Sequence, residues 1–260
     1  MKTIALSNNS LQANGYATYD LFKELSHVNT ENNIAELKSE FHTLPIDDYA
    51  KNCNRYRKYS RAVIFPNSLH IEWLPNYQVD GEQKSEYYQG AFNSEYTGDY
   101  RSFHPLSDSI KLNPLLNEII RFDFQQTFWN DRDLILPVHA GIHFVKLLVN
   151  QPDEYAVASP NHLHQDGESF TFAHLITRSN VIGGNNVIAD PRAAGKLPEE
   201  ISDDLILESF DLTETLQSYG VCDDKVSHYV SGVAKGSEDK PGERSVILID
   251  FLPTVVSPIV

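Results

Sequence analysis

The sequence predicts a mainly β fold with flanking helices, in which a double-stranded β-helix of the jelly-roll or cupin-like type forms the core. After residue 134 the chain consists of short stretches rich in Val, Ile, Leu and Phe, separated by turn and loop residues. Before that point, apolar residues recur at helical spacing in several segments. We expect the 260 residues to form a single domain, with helical and lid segments in 1–133 and the jelly-roll core mainly in 134–255.

The first half contains the predicted helices and a long polar loop. Residues 8–45 have near-helical apolar spacing, and residues 113–122 predict a second helix with Pro114 in its first turn. Residues 62–80 alternate like strands. Residues 81–105 are rich in Tyr, Gly and Asn, a composition that favours a loop covering a site.

The second half predicts a series of strands joined by turns. The residue pair Gly183-Gly184, followed by two Asn, is a strong turn signal. Apolar β-forming residues predict strands at 134–138, 141–149, 170–176, 187–189, 226–233 and 244–252.

Composition and charge exclude several classes of function. A formal net charge of −15 disfavours nucleic acid, whose phosphates it would repel. Cys53 and Cys222 are too few for a disulfide framework or a Cys-rich zinc site. The N-terminus lacks the apolar run of a signal peptide, and no stretch approaches the roughly 18 apolar residues of a membrane span. We expect a cytoplasmic protein without nucleic-acid or membrane partners; a homo-oligomer stays open.

The segment 161–168 contains the first candidate metal ligands. If it is a strand, His164 and Asp166 share one face. Two His and one carboxylate, with three positions left open, form the facial triad of non-haem Fe(II) oxygenases. His228 is the best third ligand, because it lies on a separate predicted strand. The competing histidines, which the spacing alone does not exclude, are His139, His143, His162 and His174.

Two groups of cations are candidates for anion binding. Arg244 stands at the head of an otherwise apolar strand, and a buried guanidinium needs a partner. If Arg244, Val246 and Leu248 point inward, Arg244 can hold an anionic co-substrate beside the metal, since a guanidinium binds a carboxylate bidentately. The alternative is an arginine at an exposed edge. The basic cluster 54–61 is either a solvated edge strand or an anion-facing strand near the site.

Taken together, these residues resemble the Fe(II)/2-oxoglutarate-dependent dioxygenases. Within that superfamily the chain is similar to the small bacterial enzymes that hydroxylate free L-amino acids, the group typified by L-isoleucine dioxygenase. The resemblance covers roughly residues 50–252. It is carried by the segments 164–168, 173–176, 182–186, 228–231 and 244–248, and upstream by 55–57, 88–89, 101–103 and 113–115.

The resemblance implies a ligand set and a chemistry. His164, Asp166 and His228 would bind Fe(II), and Arg244 would hold the distal carboxylate of the co-substrate 2-oxoglutarate, whose oxidative decarboxylation by dioxygen accompanies hydroxylation. The chain also departs from the pattern. Val246 stands where many members of the superfamily have Ser, so the second anchor of 2-oxoglutarate is unassigned.

The predicted substrate is a free, aliphatic L-amino acid that is hydroxylated on its side chain. Tyr88 and Gln89 belong to the candidate lid, whose aromatic and amide groups suit a small substrate. For the α-carboxylate we favour Arg101, because it closes the lid segment. Lys146 takes the place of an Arg found in related enzymes, and it lacks the fork of a guanidinium. The other candidate cations are Arg57 and Arg121. The sequence identifies no acceptor for the α-amine.

Three other functions remain open at this point. A hydroxylase could act on a carrier-bound, peptidyl or natural-product substrate, although a peptide would need an open groove rather than a lid. A non-catalytic, metal-containing jelly-roll binding protein and a zinc hydrolase could both use the same three ligands. Neither of these two explains Arg244.

Overall fold

The computed structural model describes residues 10–88, 100–158 and 160–255, and it is built mainly of antiparallel β-strands. The helices are α1 (Ser10–Asn14), α2 (Leu21–Glu24), α3 (Glu31–Phe41), α4 (Asp108–Lys111) and α5 (Pro114–Gln126). The strands are β1 (Tyr16–Asp20), β2 (Arg55–Phe65), β3 (His70–Trp73), β4 (Tyr77–Val79), β5 (Glu82–Tyr88), β6 (Tyr100–Phe103), β7 (Val138–Val149), β8 (Tyr155–Ala156), β9 (Phe170–Ser179), β10 (Val181–Gly183), β11 (Asn185–Ala189), β12 (Ile206–Asp211), β13 (Gln217–Cys222), β14 (Ser227–Val230), β15 (Val233–Lys235) and β16 (Gly242–Leu252).

Seven strands form the main sheet, in the order β1-β13-β9-β16-β7-β2-β3. Three smaller sheets have the orders β10-β15-β8, β12-β11-β14 and β4-β5-β6. The strand pairings among the described residues are antiparallel, and β16 pairs with β7 and β9 along almost its whole length. No helix among the described residues is long and apolar enough to span a membrane.

The longer helices cover one face of the main sheet. Thr30 caps α3 by accepting a hydrogen bond from Asn33, and the Asn113 side chain accepts two backbone N–H groups at the start of α5. Pro114 occupies the first turn of α5, where its missing N–H costs nothing. The shared core contains Leu115, Leu116, Ile119 and Ile120 of α5 and Ile142, Phe144, Phe172, Ile247, Ile249 and Phe251 of the sheet.

The pleat of β16 separates this core from a cavity on the other face of the sheet. Successive side chains of a strand point to opposite faces. Ile247, Ile249 and Phe251 therefore pack against the helices. The alternate residues, which line the cavity, are Arg244, Val246, Leu248 and Asp250.

Some predicted elements have different boundaries. Within 8–45, which predicted helix throughout, residues 16–20 form β1 and pair with β13, because aromatic and β-branched residues follow a left-handed Gly15. The predicted strand 134–138 begins with a 3-10 turn over 133–135, and β7 starts only at Val138. The predicted strand 226–233 is divided between β14 and β15, which belong to different sheets.

Candidate active site

His164, Asp166 and His228 come together in the structure. Their ligand-type atoms all lie within 4.8 Å of one another. The Nε2 atom of His164 is 3.4 Å from one Asp166 carboxylate oxygen, and the Nε2 atom of His228 is 3.3 Å from the other. Two imidazole nitrogens and a carboxylate oxygen are a donor set that fits Fe(II). No other group of three or more such residues occurs in the described parts of the chain.

The backbone brings the two histidines together without the predicted strand. Residues 161–168 form no strand; a single bridge joins His164 to His228 through N–H···O bonds of 3.0 and 2.9 Å in the two directions. Since His228 lies on β14, this bridge fixes the distance between the imidazoles. The prediction that alternation along a strand aligns His164 with Asp166 was wrong, although both side chains reach the same place.

Neighbouring groups orient the candidate ligands. The Nδ1 atom of His164 donates to the His162 carbonyl oxygen at 2.8 Å, so Nε2 is the ring nitrogen that faces Asp166 and could bind a metal. The Asp223 carboxylate accepts the backbone N–H groups of Asp166 and Gly167 at 2.7 and 2.8 Å. Gly167 has φ of 87°, a conformation that favours glycine. The turn after Asp166 is therefore held by Asp223, which the sequence analysis did not identify.

The electrostatics of the group favour an ionised carboxylate. Burial by itself would raise the pKa of Asp166, but His228 and His164 beside it hold that pKa well below its usual range. Burial lowers the pKa of His228, and the facing Asp166 outweighs this effect and raises it. Burial and the nearby Asp166 raise the pKa of Asp223 to about 6. Asp166 is therefore ready to bind a cation.

The competing histidines lie elsewhere. His174 is fully buried, and its ring nitrogens contact Ser218 and Asp123 at 2.9 Å each, so it links the main sheet to α5. The ring of His162 is 6.3 Å from that of His164. His139 is partly buried, and this burial lowers its pKa. His143 faces the cavity but is hydrogen-bonded to Asp250.

A cavity of about 120 Å³ adjoins the candidate metal ligands. Arg244 lies in its wall and is 4% exposed. Burial lowers the pKa of Arg244 to about 10. Besides Asp166 and Arg244, the lining residues are Arg55, Arg57, Tyr87, Arg101, His143, Val145, Leu147, Ala158, Glu168, Thr171, Ala173, Asn186, Tyr219, Val230, Val246, Leu248 and Asp250.

The predicted turn at Gly183-Gly184 lies directly against Arg244. Gly184 has φ of +78°, and a Cβ atom there would be 2.9 Å from Cδ of Arg244 and from Nη1 of Arg178. A side chain at Gly184 would therefore collide with both arginines. The glycine allows the turn to pass close to the guanidinium that the resemblance assigns to 2-oxoglutarate.

A second group of cations, which we call the cationic wall, consists of Arg55, Arg57 and Arg101. All three are buried and line the cavity. Arg55 is paired with Asp47, with N···O distances of 2.9 and 2.8 Å. The Cζ atom of Arg101 lies 4.7 Å from the Tyr87 ring centroid, and burial with Arg57 nearby lowers its pKa to about 10. Arg55 and Arg57 on β2 thus fit the anion-facing alternative for the basic cluster.

Two acids of the cavity were missed by the sequence analysis. Glu168 and Asp250 are 3% and 4% exposed. Burial and neighbouring carboxylates raise the pKa of Glu168 well above its usual range and that of Asp250 to about 6, although His139 and Arg57 oppose the rise at Asp250. Counting every second residue from Arg244 along β16 would have placed Asp250 on the cavity face. Glu168 had no comparable signal beyond its place two residues after Asp166.

Two predicted substrate residues, Tyr88 and Lys146, do not line the cavity. Tyr88 is 49% exposed and contacts Tyr100, whereas its neighbour Tyr87 faces the cavity. Lys146 lies on the opposite face of β7, where its Nζ donates to the Phe41 carbonyl at 2.7 Å. Gln89 lies outside the described residues. For Tyr88 and Lys146 the difference is the phase of the strand pleat.

Comparison of the sequence with known proteins finds one family and two similar enzymes. Residues 38–250 match the family model of the 2OG-Fe dioxygenases. An L-isoleucine-4-hydroxylase from Bacillus thuringiensis is 30% identical over 226 residues, which cover 84% of this chain and 82% of that protein. A 3(1)-hydroxy-L-isoleucine 4-dioxygenase from Pantoea ananatis (strain AJ13355) is 31% identical over 220 residues, which cover 79% of this chain and 83% of that protein.

Solved structures share the fold. The crystal structure of IDO from Bacillus thuringiensis matches with a TM-score of 0.68 and 22% identity, covering 95% of this chain and 96% of that one. The Fe(II)/α-ketoglutarate-dependent dioxygenase TqaL matches with a TM-score of 0.71 and 14% identity, covering 95% and 86%. The family model spans most of the sequence, and the fold agrees with it. The chain therefore belongs to the 2OG-Fe dioxygenases, enzymes that use Fe(II), 2-oxoglutarate and dioxygen.

Proposed function

We propose that this enzyme hydroxylates the side chain of a free, aliphatic L-amino acid. The observation that carries the proposal is one cavity that is lined both by Asp166 of the candidate metal group and by two separate sets of arginines. One set would bind 2-oxoglutarate and the other the amino acid. The facing sheets around the cavity support the double-stranded β-helix that the sequence predicts.

His164, Asp166 and His228 would hold Fe(II), and Arg244 would bind the distal carboxylate of 2-oxoglutarate. Three protein ligands leave three positions of an octahedral ion open, and the bound iron supplies the oxidising chemistry that dioxygen and 2-oxoglutarate together make available. The protein's part is to position the substrate C–H bond and to exclude water. Arg244 suits its part because a buried guanidinium forms two parallel bonds to a carboxylate.

The cationic wall would bind the α-carboxylate of the amino acid. Strand β7 lies between Arg55 and Arg57 on β2 and Arg244 on β16, so the two sets of cations are about two strand spacings, or roughly 10 Å, apart. This separation allows two carboxylates to bind in the same cavity. Between the two sets, apolar side chains suited to an aliphatic substrate come from Val145, Leu147, Ala173, Val246 and Leu248.

The two similar proteins named for isoleucine chemistry support an amino acid of this shape. Because these proteins are only about a third identical to this chain, the substrate has to be inferred from the residues that line the cavity. The alternative hydroxylase, with a carrier-bound or peptidyl substrate, would have to thread a chain past the buried arginines Arg57 and Arg101. A free amino acid has no such chain and can end at the guanidinium groups.

The experiment compares free and tethered substrates. The enzyme is incubated with Fe(II) and 2-oxoglutarate and with free Leu, Ile, Val or Met, and products are followed by mass spectrometry together with succinate. We expect a gain of one oxygen in a free aliphatic amino acid, coupled to succinate release. If no free amino acid reacts while a carrier-tethered or peptidyl form does, the proposal is wrong and the enzyme acts on the alternative class of substrate.

A further inference from the structure

Two carboxylate oxygens in the cavity have no partner among the described residues. They are Oε2 of Glu168 and Oδ1 of Asp250, and both belong to side chains that are more than nine-tenths buried and line the cavity. Buried polar atoms in native proteins are almost always hydrogen-bonded. A pair of unsatisfied acceptors beside a candidate metal site therefore indicates a missing donor.

The other oxygen of each carboxylate is fixed by the protein. The Tyr87 hydroxyl donates to Oε1 of Glu168 at 2.6 Å. Arg57 donates to Nδ1 of His143, and so the His143 proton is on Nε2, which donates to Oδ2 of Asp250 at 2.8 Å. The backbone N–H of Gly141 also acts on the Asp250 carboxylate. Together these contacts fix the orientation of both carboxylates, while Oε2 of Glu168 and Oδ1 of Asp250 have no partner among the described residues.

The missing donor is better explained by an ammonium group than by a second metal ion. His143 is the imidazole nearest to this pair that faces the cavity, and both of its ring nitrogens are already engaged, with Arg57 and Asp250. Glu168 and Asp250 also belong to no group of metal-ligand type in the described residues. An ammonium has three donors and a positive charge, which suits two acidic side chains that each leave one oxygen open.

The same residues connect the acids to the cationic wall. Tyr87 contacts Glu168 through its hydroxyl and Arg101 through its ring. His143 connects Asp250 to Arg57. Each side of the cavity thus has a guanidinium and a carboxylate separated by one aromatic side chain. This spacing of opposite charges is complementary to a zwitterion.

We propose that Glu168 and Asp250 form the ammonium site of the substrate, opposite the arginines that bind its carboxylate. The proposal rests on the proposed function and deepens it, because it assigns the α-amine acceptor and makes these two acids determinants of specificity. It also predicts that a substrate acylated on nitrogen is rejected. An amide nitrogen brings one donor and no charge to two buried carboxylates.

The test measures selectivity for the ammonium group in variants that keep the existing hydrogen bonds. Glu168→Gln can still accept from Tyr87, and Asp250→Asn can still accept from His143. Each variant and the wild type are assayed with L-isoleucine and with (2S,3S)-2-hydroxy-3-methylpentanoate, which has a hydroxyl in place of the ammonium. Asp123→Asn is the matched control, because Asp123 is equally buried but pairs with His174 away from the cavity.

We expect kcat/KM for L-isoleucine to fall about 10- to 100-fold in Glu168→Gln and Asp250→Asn. The kcat/KM for the hydroxy acid and the KM for 2-oxoglutarate should change far less. The ratio of kcat/KM for L-isoleucine to kcat/KM for the hydroxy acid therefore becomes smaller. Asp123→Asn should leave that preference unchanged. An equal fall for both substrates would overturn the proposal, because it would mean that the acids only position Tyr87 and His143.

A binding measurement separates this proposal from the proposed function. Calorimetry without dioxygen records binding of L-isoleucine and of the hydroxy acid to each variant, whether or not turnover follows. The ammonium site is supported if the wild type binds L-isoleucine more tightly than the hydroxy acid and Glu168→Gln loses this difference. This holds even if the wild type hydroxylates no free amino acid. If the wild type binds both compounds equally, the ammonium site is overturned, whatever the reaction proves to be.

Discussion

The metal end of the cavity and its cationic wall are built in different ways. His164 and Asp166 are two residues apart, and His228 joins them through one backbone bridge. Arg55 and Arg57 lie on β2, whereas Arg101 lies on β6. The metal end depends on one short segment and one strand, but the wall requires two sheets to pack against each other. Local sequence is therefore informative about the first region and nearly silent about the second.

The two regions also differ in how their charges are compensated. Asp166 faces two imidazoles, and its backbone N–H is held by Asp223. In the wall, Arg55 has a carboxylate partner in Asp47, while Arg57 and Arg101 contact aromatic rings and His143. A buried guanidinium group can bind a carboxylate through two parallel N–H···O bonds. The wall is thus complementary to an anionic ligand, and the metal end to a cation.

The largest expected effect is at the metal end. His164→Ala, Asp166→Ala or His228→Ala should each abolish turnover and Fe(II) binding while leaving the fold largely intact, because each removes one of three ligands. Activity, metal content and circular dichroism are measured together. His162→Ala is the control and should keep metal and activity. Full turnover by His228→Ala, with loss in His162→Ala or His174→Ala, would show that the third ligand is another histidine.

The next largest effect is expected at Arg244 and tests whether 2-oxoglutarate binds there rather than at the cationic wall. Arg244→Ala should raise the KM for 2-oxoglutarate sharply and spare Fe(II) affinity, because losing the charged partner of a buried carboxylate costs about 2–5 kcal/mol. Steady-state kinetics with 2-oxoglutarate varied provide the measurement. Arg192→Ala is the control, since Arg192 is 76% exposed and pairs with Asp190. An unchanged KM in Arg244→Ala would mean that 2-oxoglutarate is held elsewhere.

A smaller effect is expected at the wall. Arg101→Met should raise the KM for the amino acid about tenfold or more and leave that for 2-oxoglutarate nearly unchanged, since a hydrogen bond to a charged group contributes about 1.5–3 kcal/mol. Arg121→Met is the matched control, because Arg121 pairs with Glu118 outside the cavity. If Arg101→Met instead raises the KM for 2-oxoglutarate, the two sets of arginines have been assigned to the wrong ligands.

The smallest effect is expected at Lys146. Lys146→Met should leave both KM values unchanged and lower the free energy of unfolding by about 1 kcal/mol, because the hydrogen bond to the Phe41 carbonyl and the contact with the Tyr56 ring are lost outside the cavity. Kinetics and urea denaturation measure the two quantities. A raised KM for the amino acid in Lys146→Met would mean that Lys146 binds the substrate, as the sequence predicted.

The sequence predicted the parts of the fold that have strong periodicity. Residues 244–252 lie within β16 and 113–122 overlap α5, because apolar spacing and an N-cap act locally. The approach of His164 to His228 depends on one bridge between distant segments, and spacing cannot reveal it. Tyr88 was predicted to lie in a loop, and Lys146 was chosen from the resemblance; both lie on strands whose pleat turns them away from the cavity. Glu168 and Asp250 become conspicuous only when tertiary packing shows acceptors without donors.

The most direct test of the account uses isotopically labelled dioxygen. The wild-type enzyme, Fe(II), 2-oxoglutarate and L-isoleucine react under the labelled gas, and both products are analysed by mass spectrometry. The account predicts one labelled oxygen in a hydroxylated amino acid and one in succinate, formed in equal amounts. Labelled succinate beside unchanged L-isoleucine and the other free aliphatic amino acids would contradict the claim that this cavity hydroxylates a free amino acid.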